Sequence, residues 1–424
     1  QTYEYLKWSS EGTYDYWYYN QDGMFTGNEQ DFYNLVPVLR GPQGDYFARG
    51  LQATIQAEPL NNRSNRANQL DTAAGSVFLP SGRKLGDLNT SNTLLHDAWV
   101  GIANAPNNAL RRLGLFKFNS MIYETAWHEE QYPIGYDNTD YQQTWSDPDD
   151  TWDGVNTWCL RLNNHARGTG YLAYAAQWAH DVQQGLQTAA SSAASLDLDQ
   201  DGEVEYVLRN NKVLALFDRH GGRMLYAFHY HPTAGPICVI GAPVANPSAP
   251  GEEEYTGTAA NRCSGLKDMN GGTFADAVYT VQVGVPNARS LRLTSPGSQI
   301  QKTVELPDGK ARLEVSYTET VSGPLYTRIG ASPNHLNLIK TGRTNLTTGT
   351  AGDAYYVQNA AGGAVYVTTP PGVSRNPTPA DAGFQNRNLA LTEEIEVYGD
   401  GTYNFWIGFD PTDVPAGVSE FNLY

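Results

Sequence analysis

The densest run of chemistry-bearing side chains is Asp197-Leu198-Asp199-Gln200-Asp201-Gly202-Glu203-Val204-Glu205. Carboxylates stand at loop positions 1, 3, 5 and 9, with Gly202 at position 6 and Glu203 beside it. Alternate acids on a wrapping loop converge on one centre and the glycine permits a sharp turn, which suits a hard cation with many oxygen ligands. The spacing predicts Ca2+ held by Asp197, Asp199, Asp201, Glu203 and Glu205. Position 12 is Leu208 rather than a bidentate Glu, so a short loop leading into a strand over 205–208 is expected, not an EF-hand. The competing reading is a solvated acidic turn.

Near the start, Trp8, Glu11, Tyr14, Asp15 and Trp17 interleave rings with carboxylates. Flat rings with polar edges suit sugar faces, and carboxylates suit hydroxyls or a glycosidic oxygen. The same rings would equally fill a domain seam. Glu124 and His128 stand four apart on one helical face with Trp127 beside them, a pairing able to bind a metal, hold a sugar or tune a proton donor. Its alternative is a helix-end pair closing an interface. No second His completes a zinc-protease pattern. His229 and His231 alternate along a strand and lack a third ligand, so both read as structural. Phosphate loop, nucleophile elbow and dinucleotide fingerprint are all missing from the sequence.

The elements that position these residues follow from composition and periodicity. The chain has 424 residues and a formal net charge of −17, from 28 Lys+Arg against 45 Asp+Glu. That length suggests two or three domains. The acidic balance disfavours nucleic acid and anionic membranes. With 17% charged residues but 27 Tyr, 9 Trp and 42 Gly, the surface is made of uncharged polar groups and aromatics. The 40% hydrophobic content excludes wholesale disorder. No apolar run reaches the roughly 18 residues that would span a bilayer. A chain opening at Gln1 with neither Met nor a leader reads as the processed form of an exported protein, extracellular or at the cell surface. Of three cysteines, Cys238 and Cys263 flank a loop and are expected to pair, leaving Cys159 free.

Helical periodicity runs from Asn92 to Ile102. It resumes after Pro106 with Leu110, Leu113, Phe116, Ser120, Tyr123 and Trp127 on one face, and returns at Tyr171, Ala175, Trp178 and Val182. The small residues Ser191 to Ser195 read as a linker. Beyond them, short apolar runs alternate with Gly-containing turns. Val213–Phe217 and Met224–Phe228 flank Gly221-Gly222 as a hairpin, and Tyr403, Phe405, Ile407 and Phe409 alternate as a half-buried strand. The expected fold class is α+β: an aromatic-rich, mainly helical domain over 1–190, then an antiparallel β-sandwich of one or two modules over 195–424 that opens with the calcium-type loop.

The segment from Trp8 through Glu11, Gly12, Tyr14, Asp15 and Trp17 to Asn20 resembles the last conserved region of glycoside hydrolase family 57. There a Trp, a Gly, a second Trp and an Asn follow the final barrel strand. Tyr123 to Glu129 resembles a helical segment of that family's uncharacterised relatives. Asp197 to Glu205, continuing to Asn211 and to Phe217-Asp218 with Gly221-Gly222-Arg223, resembles the start of their β-rich C-terminal region. The resemblance implies that this chain corresponds to the C-terminal half, with the nucleophile Glu and acid/base Asp of the barrel lying before Gln1, so no residue here inherits a catalytic role. Trp8, Glu11, Tyr14, Asp15 and Trp17 would then be rim residues of a glycan cleft.

The expected function is that of a secreted carbohydrate-active protein that binds, or helps to bind, glucan-type glycans and is not catalytic alone. Expected partners are a polysaccharide or oligosaccharide and either the barrel half of the same precursor or copies of itself. The alternative is an extracellular structural protein that assembles into a surface layer or filament.

Overall fold

The computed structural model describes residues 94–125, 144–145, 155–199, 204–241, 263–270, 274–275, 277–323, 325–351, 354–368, 383–385 and 392–411. Among these residues the protein is mostly β, with 19 strands and four α-helices. The α+β expectation, with its mainly helical N-terminal region, is therefore corrected: two large antiparallel sheets dominate the described chain. Helical periodicity marks a helix where one occurs but carries no information about the residues between helices, and the expectation extended three helices over 190 positions.

The chain divides into two compact units. The first comprises Gln1–Gln177, Asp197–Glu203 and Pro243–Gly257; the second comprises Trp178–Leu196, Val204–Ala242 and Thr258–Tyr424. In the first unit lie α1 (Leu94–Asn104), α2 (Ala109–Thr125), the short antiparallel pair β1 (Thr144–Trp145) and β2 (Val155–Asn156), and most of α3 (Thr157–Gln183). Asn108 caps α2. Its Oδ1 accepts the N–H groups of Leu110 at 3.0 Å and Arg111 at 3.2 Å, which the first helical turn would otherwise leave unpaired. The other end of its amide donates to the Ala176 carbonyl on α3 at 2.9 Å. Gly114 lets the helices close up, since a Cβ there would sit 2.4 Å from Ile102 Cδ1 and 3.1 Å from Leu172 Cβ. Leu110, Leu113 and Phe116 are buried along one face of α2.

The second unit contains β3 (Ser192–Leu196), β4 (Glu205–Arg209), β5 (Val213–Phe217), β6 (Met224–His231), β7 (Gly235–Ile240), β8 (Lys267–Met269), β9 (Thr280–Val283), β10 (Ser290–Thr294), β11 (Ile300–Glu305), β12 (Arg312–Glu319) and β13 (Leu325–Ala331). The short α4 (His335–Thr341) follows, then β14 (Leu346–Ala351), β15 (Ala354–Asn359), β16 (Ala364–Thr368), β17 (Gly383–Gln385), β18 (Glu393–Gly399) and β19 (Thr402–Gly408). One sheet runs β14-β15-β16-β19-β12-β11-β10-β9; the other runs β17-β18-β13-β7-β6-β5-β4-β3, with β8 also paired to β13. The serines and alanines expected as a linker are strand β3, paired with β4 from Ser192↔Arg209 to Leu196↔Glu205. Small residues satisfy a strand as readily as a linker, and here the β4 ladder decides.

The inner faces of the two sheets share one apolar core. Leu313, Val315 and Tyr317 of β12 and Tyr403, Phe405 and Ile407 of β19 meet Val213, Ala215 and Phe217 of β5 and Ile329 of β13. Alternation is clean on β12, where every second side chain is buried, as a sheet with one face inward requires. Asn210, fully buried, ties the strand ends together. Its Oδ1 accepts the N–H groups of Lys212 and Val213 at 2.8 and 2.9 Å, while Nδ2 reaches the carbonyls of Lys310 at 3.0 Å and Pro307 at 3.3 Å. Among the described residues no helix is long and apolar enough to cross a membrane.

Candidate functional site

The β6–β7 and β15–β16 turns of the second unit enclose a cleft of about 320 Å³ lined by His231, Gln358, Asn359, Ala360, Gly362, Gly363, Ala364 and Pro411. His231 ends β6. Its Nδ1 accepts the N–H of Ala234 at 3.0 Å and of Thr233 at 3.2 Å, and lies 3.1 Å from Thr233 Oγ1. An accepting Nδ1 places the neutral ring's proton on Nε2. Burial holds the imidazole below its ordinary range, against a smaller upward pull from Asp410. His231 is therefore a neutral donor at pH 7.

Asn359 is spent on its own turn, accepting the Ala361 N–H at 2.8 Å and donating to the Pro333 carbonyl at 3.0 Å. Gly362 and Gly363 turn with φ of +100° and +111°, which a side chain resists, and a Cβ on Gly363 would lie 2.7 Å from Ile237 Cδ1. Gln358, partly exposed at the end of β15, offers a carboxamide with both donor and acceptor. None of the lining side chains is a carboxylate, a lysine or an arginine. The surface is suited to a neutral, hydroxyl-rich ligand. The sequence reading of His231 as structural agrees with the contacts its Nδ1 makes to its own turn, and that reading did not anticipate the cleft beside it.

A second polar centre lies between the sheets. Asp268 of β8 is fully buried and accepts from Lys302 Nζ at 2.7 Å, Tyr279 Oη at 2.7 Å and Tyr317 Oη at 2.8 Å. Lys302, inward on β11, also donates to the Leu266 carbonyl at 2.8 Å and lies 4.9 Å from the Tyr279 ring centre. Burial pulls Lys302 below its ordinary range while Asp268 pulls it back up. Burial and the neighbouring carboxylate both push Tyr279 and Tyr317 well up. Lys267 pairs with Glu394 at 2.7 Å nearby. These partners account for the charges of both Asp268 and Lys302, and the centre joins the two sheets.

Of the residues singled out in the sequence, Trp8, Glu11, Tyr14, Asp15, Trp17, Trp127, His128, Asp201 and Glu203 lie outside the described residues, and Glu124 lies in the last turn of α2 with its side chain outside them as well. Within the acidic loop, Asp197 and Asp199 bring carboxylate oxygens to within 4.8 Å of each other. Asp199 Oδ2 also accepts from Arg167 Nε at 2.9 Å in a pair nearly closed to solvent. The guanidinium offsets part of the negative charge that the two carboxylates gather there. Spacing in the sequence gave no sign of Arg167.

The expected disulfide is absent: Cys238 and Cys263 are both buried thiols outside any disulfide. Cys238 Sγ donates to the Ile240 carbonyl at 3.3 Å, and Cys263 Sγ lies 3.0 Å from Thr392 Oγ1. Each thiol is turned to its own partner, and loop closure alone did not bring them together. Burial pushes the Cys238 thiol far up. The side chain of Cys159 lies outside the described residues.

No family model and no curated protein matches this chain. Several solved structures align with it weakly. A 4-alpha-glucanotransferase from Thermococcus litoralis aligns at 11% identity and a TM-score of 0.34, over 74% of this chain and 49% of that one. The periplasmic domain of Thermotoga maritima YidC aligns at 11% identity and a TM-score of 0.28, over 49% of this chain and 85% of that one. A heparinase III aligns at 10% identity and a TM-score of 0.30, over 96% of this chain and 76% of that one. The chain spans about half the length of the glucanotransferase. Carbohydrate-active enzymes thus stand among its distant structural neighbours, beside an insertase domain, and likenesses this slight establish neither family nor activity.

Proposed function

We propose that the second unit is a glycan-binding module that takes an uncharged, glucan-type saccharide unit in the His231 cleft, as part of a secreted carbohydrate-active protein. One observation carries the reading: the cleft combines a neutral Nε2–H donor, a carboxamide and the Pro411 ring with no charged side chain in its lining. At about 320 Å³ it falls in the range of roughly 300–1,000 Å³ typical of small-molecule sites. Sugar hydroxyls both donate and accept, and a flat apolar ring face completes their usual surroundings. Glycoside cleavage needs two carboxyl groups across the scissile bond, and the lining supplies none, so the proposal is of binding. A Ca2+ ion in the acidic loop belongs to the same proposal, with Asp197 and Asp199 as ligands.

Calorimetric titration of the full chain with maltoheptaose tests the reading. Binding is expected, weakened at least several-fold by Gln358→Ala and abolished by Ala360→Trp, which adds bulk at an exposed position of the cleft wall without entering the core. Unchanged affinity in both variants would place the glycan elsewhere, and no heat with any neutral oligosaccharide would end the reading.

A further inference from the structure

The sheet that runs from β14 to β9 turns its apolar residues inward: Leu291 and Leu293 of β10, Val315 and Tyr317 of β12, and Tyr403 and Phe405 of β19 lie in the core. The residues that alternate with them therefore stand on its outer face. Strand register sets Gln282, Arg292, Thr303, Ser316 and Asn404 side by side there, across β9, β10, β11, β12 and β19. Five strands about 4.8 Å apart make this row roughly 19 Å long. The row beside it, from Thr280 to Thr402, consists of four threonines and Gln301 and carries no charge.

Arg292 is the one cation of these two rows, and it has no partner. Among the described residues nothing gives its guanidinium a hydrogen bond or an ion pair, and Nε is closed to solvent without an acceptor. A buried donor left open in a native fold calls for an explanation. Other arginines close by are paired: Arg289, just before β10, holds Glu305 at 2.7 Å, and Arg312 of β12 holds Glu314 at 2.9 Å. Those pairs occupy the two acids that follow Thr303 and precede Ser316 on the same outer face.

We propose that this face is a site for an acidic saccharide chain, in which a uronate carboxylate pairs with Arg292 and the rest of the row hydrogen-bonds the sugar hydroxyls. A planar guanidinium takes a carboxylate through two parallel bonds. The Thr303 and Ser316 hydroxyls and the Gln282 and Asn404 carboxamides each donate and accept, as sugar hydroxyls do. Charge sets how much acid the ligand carries. A single cation on a chain of net charge −17 suits widely spaced carboxylates, whereas a densely sulfated or phosphorylated polymer would meet repulsion that one arginine cannot offset. The proposal does not rest on the His231 cleft, whose lining shares no residue with these rows.

Calorimetric titration of the full chain with a hyaluronan hexasaccharide, in which uronate and neutral units alternate, tests the proposal. Binding is expected, weakened roughly tenfold or more by Arg292→Gln and less by Arg292→Lys, which keeps the charge and loses the fork. The methyl-esterified hexasaccharide is expected to bind wild type as weakly as the free acid binds Arg292→Gln, and excess maltoheptaose is expected not to displace the acid. Circular dichroism and melting temperature establish that each variant is folded. Wild type that gives no heat with the hyaluronan hexasaccharide overturns the proposal. So does an affinity unchanged by Arg292→Gln, displacement by maltoheptaose, or hexaglutamate bound as tightly as the saccharide, which would make this a peptide site.

Discussion

Replacing Lys302 by Met is expected to unfold the sandwich at markedly lower denaturant. Methionine keeps much of the stem volume but removes the cation 2.7 Å from Asp268 Oδ2 and the bond to the Leu266 carbonyl. Asp268 is then a fully buried carboxylate held only by hydroxyl donors. Breaking a buried pair from one side costs about 3–5 kcal/mol, because the other charge is left behind. With a urea slope of about 3 kcal/mol/M the midpoint falls by about 1–2 M at constant slope. Adding Asp268→Asn to Lys302→Met removes the stranded charge and should recover at least half of the loss. Asp268→Asn alone has a pH signature. Lys302 already sits below its ordinary range, and without the carboxylate it drops further. The native state then binds fewer protons than the unfolded state below the ordinary lysine range, so the variant's deficit shrinks as pH rises towards 10. A midpoint shift under about 0.3 M for Lys302→Met, or a double variant no better than the single, would refute the claim that this pair ties the two sheets.

Three further outcomes follow from the same geometry. His231 is held neutral, its folded pKa below the unfolded value, so its contribution to stability is complete above about pH 6.5 and is lost as pH falls through the folded pKa; His231→Asn, which keeps an acceptor for the turn, should flatten that part of the stability–pH curve. Cys238 and Cys263 are buried and hydrogen-bonded, so neither should react with a thiol reagent in the native state and both should react in guanidinium, with no linked peptide on non-reducing mass mapping. EGTA should lower the melting temperature by several degrees by removing a ligand bound to the native loop alone, and Asp197→Ala, which leaves the Arg167–Asp199 pair intact, should remove most of that difference; an unchanged melting curve would leave the loop an acidic turn.

Local patterns proved readable where they are self-contained. The Gly221-Gly222 turn joins β5 to β6, with the backbone N–H of Asp218 donating to the Arg223 carbonyl at 3.0 Å, and the alternation from Tyr403 to Ile407 buries one face of β19. Both depend on residues adjacent in sequence. What the sequence hides depends on partners far along the chain. Lys302 looks like a surface lysine until the register of β11 turns it inward between Ile300 and Val304. Asp268 meets residues 11, 34 and 49 positions away. The cleft joins two turns more than a hundred residues apart, so neither His231 nor Gln358 announces it. The cysteine pair failed for the complementary reason: their spacing permits a bridge, and strand geometry orients each sulfur elsewhere.

The Asp268 centre also constrains how this chain can evolve. Its charges come from β8 of one sheet and β11 of the other, with tyrosines from the segment before β9 and from β12 completing the set. Replacing either charged member alone leaves a stranded charge or orphaned hydroxyls, whereas an all-apolar set, with methionine and phenylalanine in place of lysine and tyrosine, would be sound. Drift by single substitutions is therefore blocked although a second solution exists. Homologues should divide into lineages holding the entire polar quartet and lineages holding none of it, with few sequences between. Co-substitution at positions 268, 279, 302 and 317 would then identify a common sandwich even where overall identity has decayed beyond recognition.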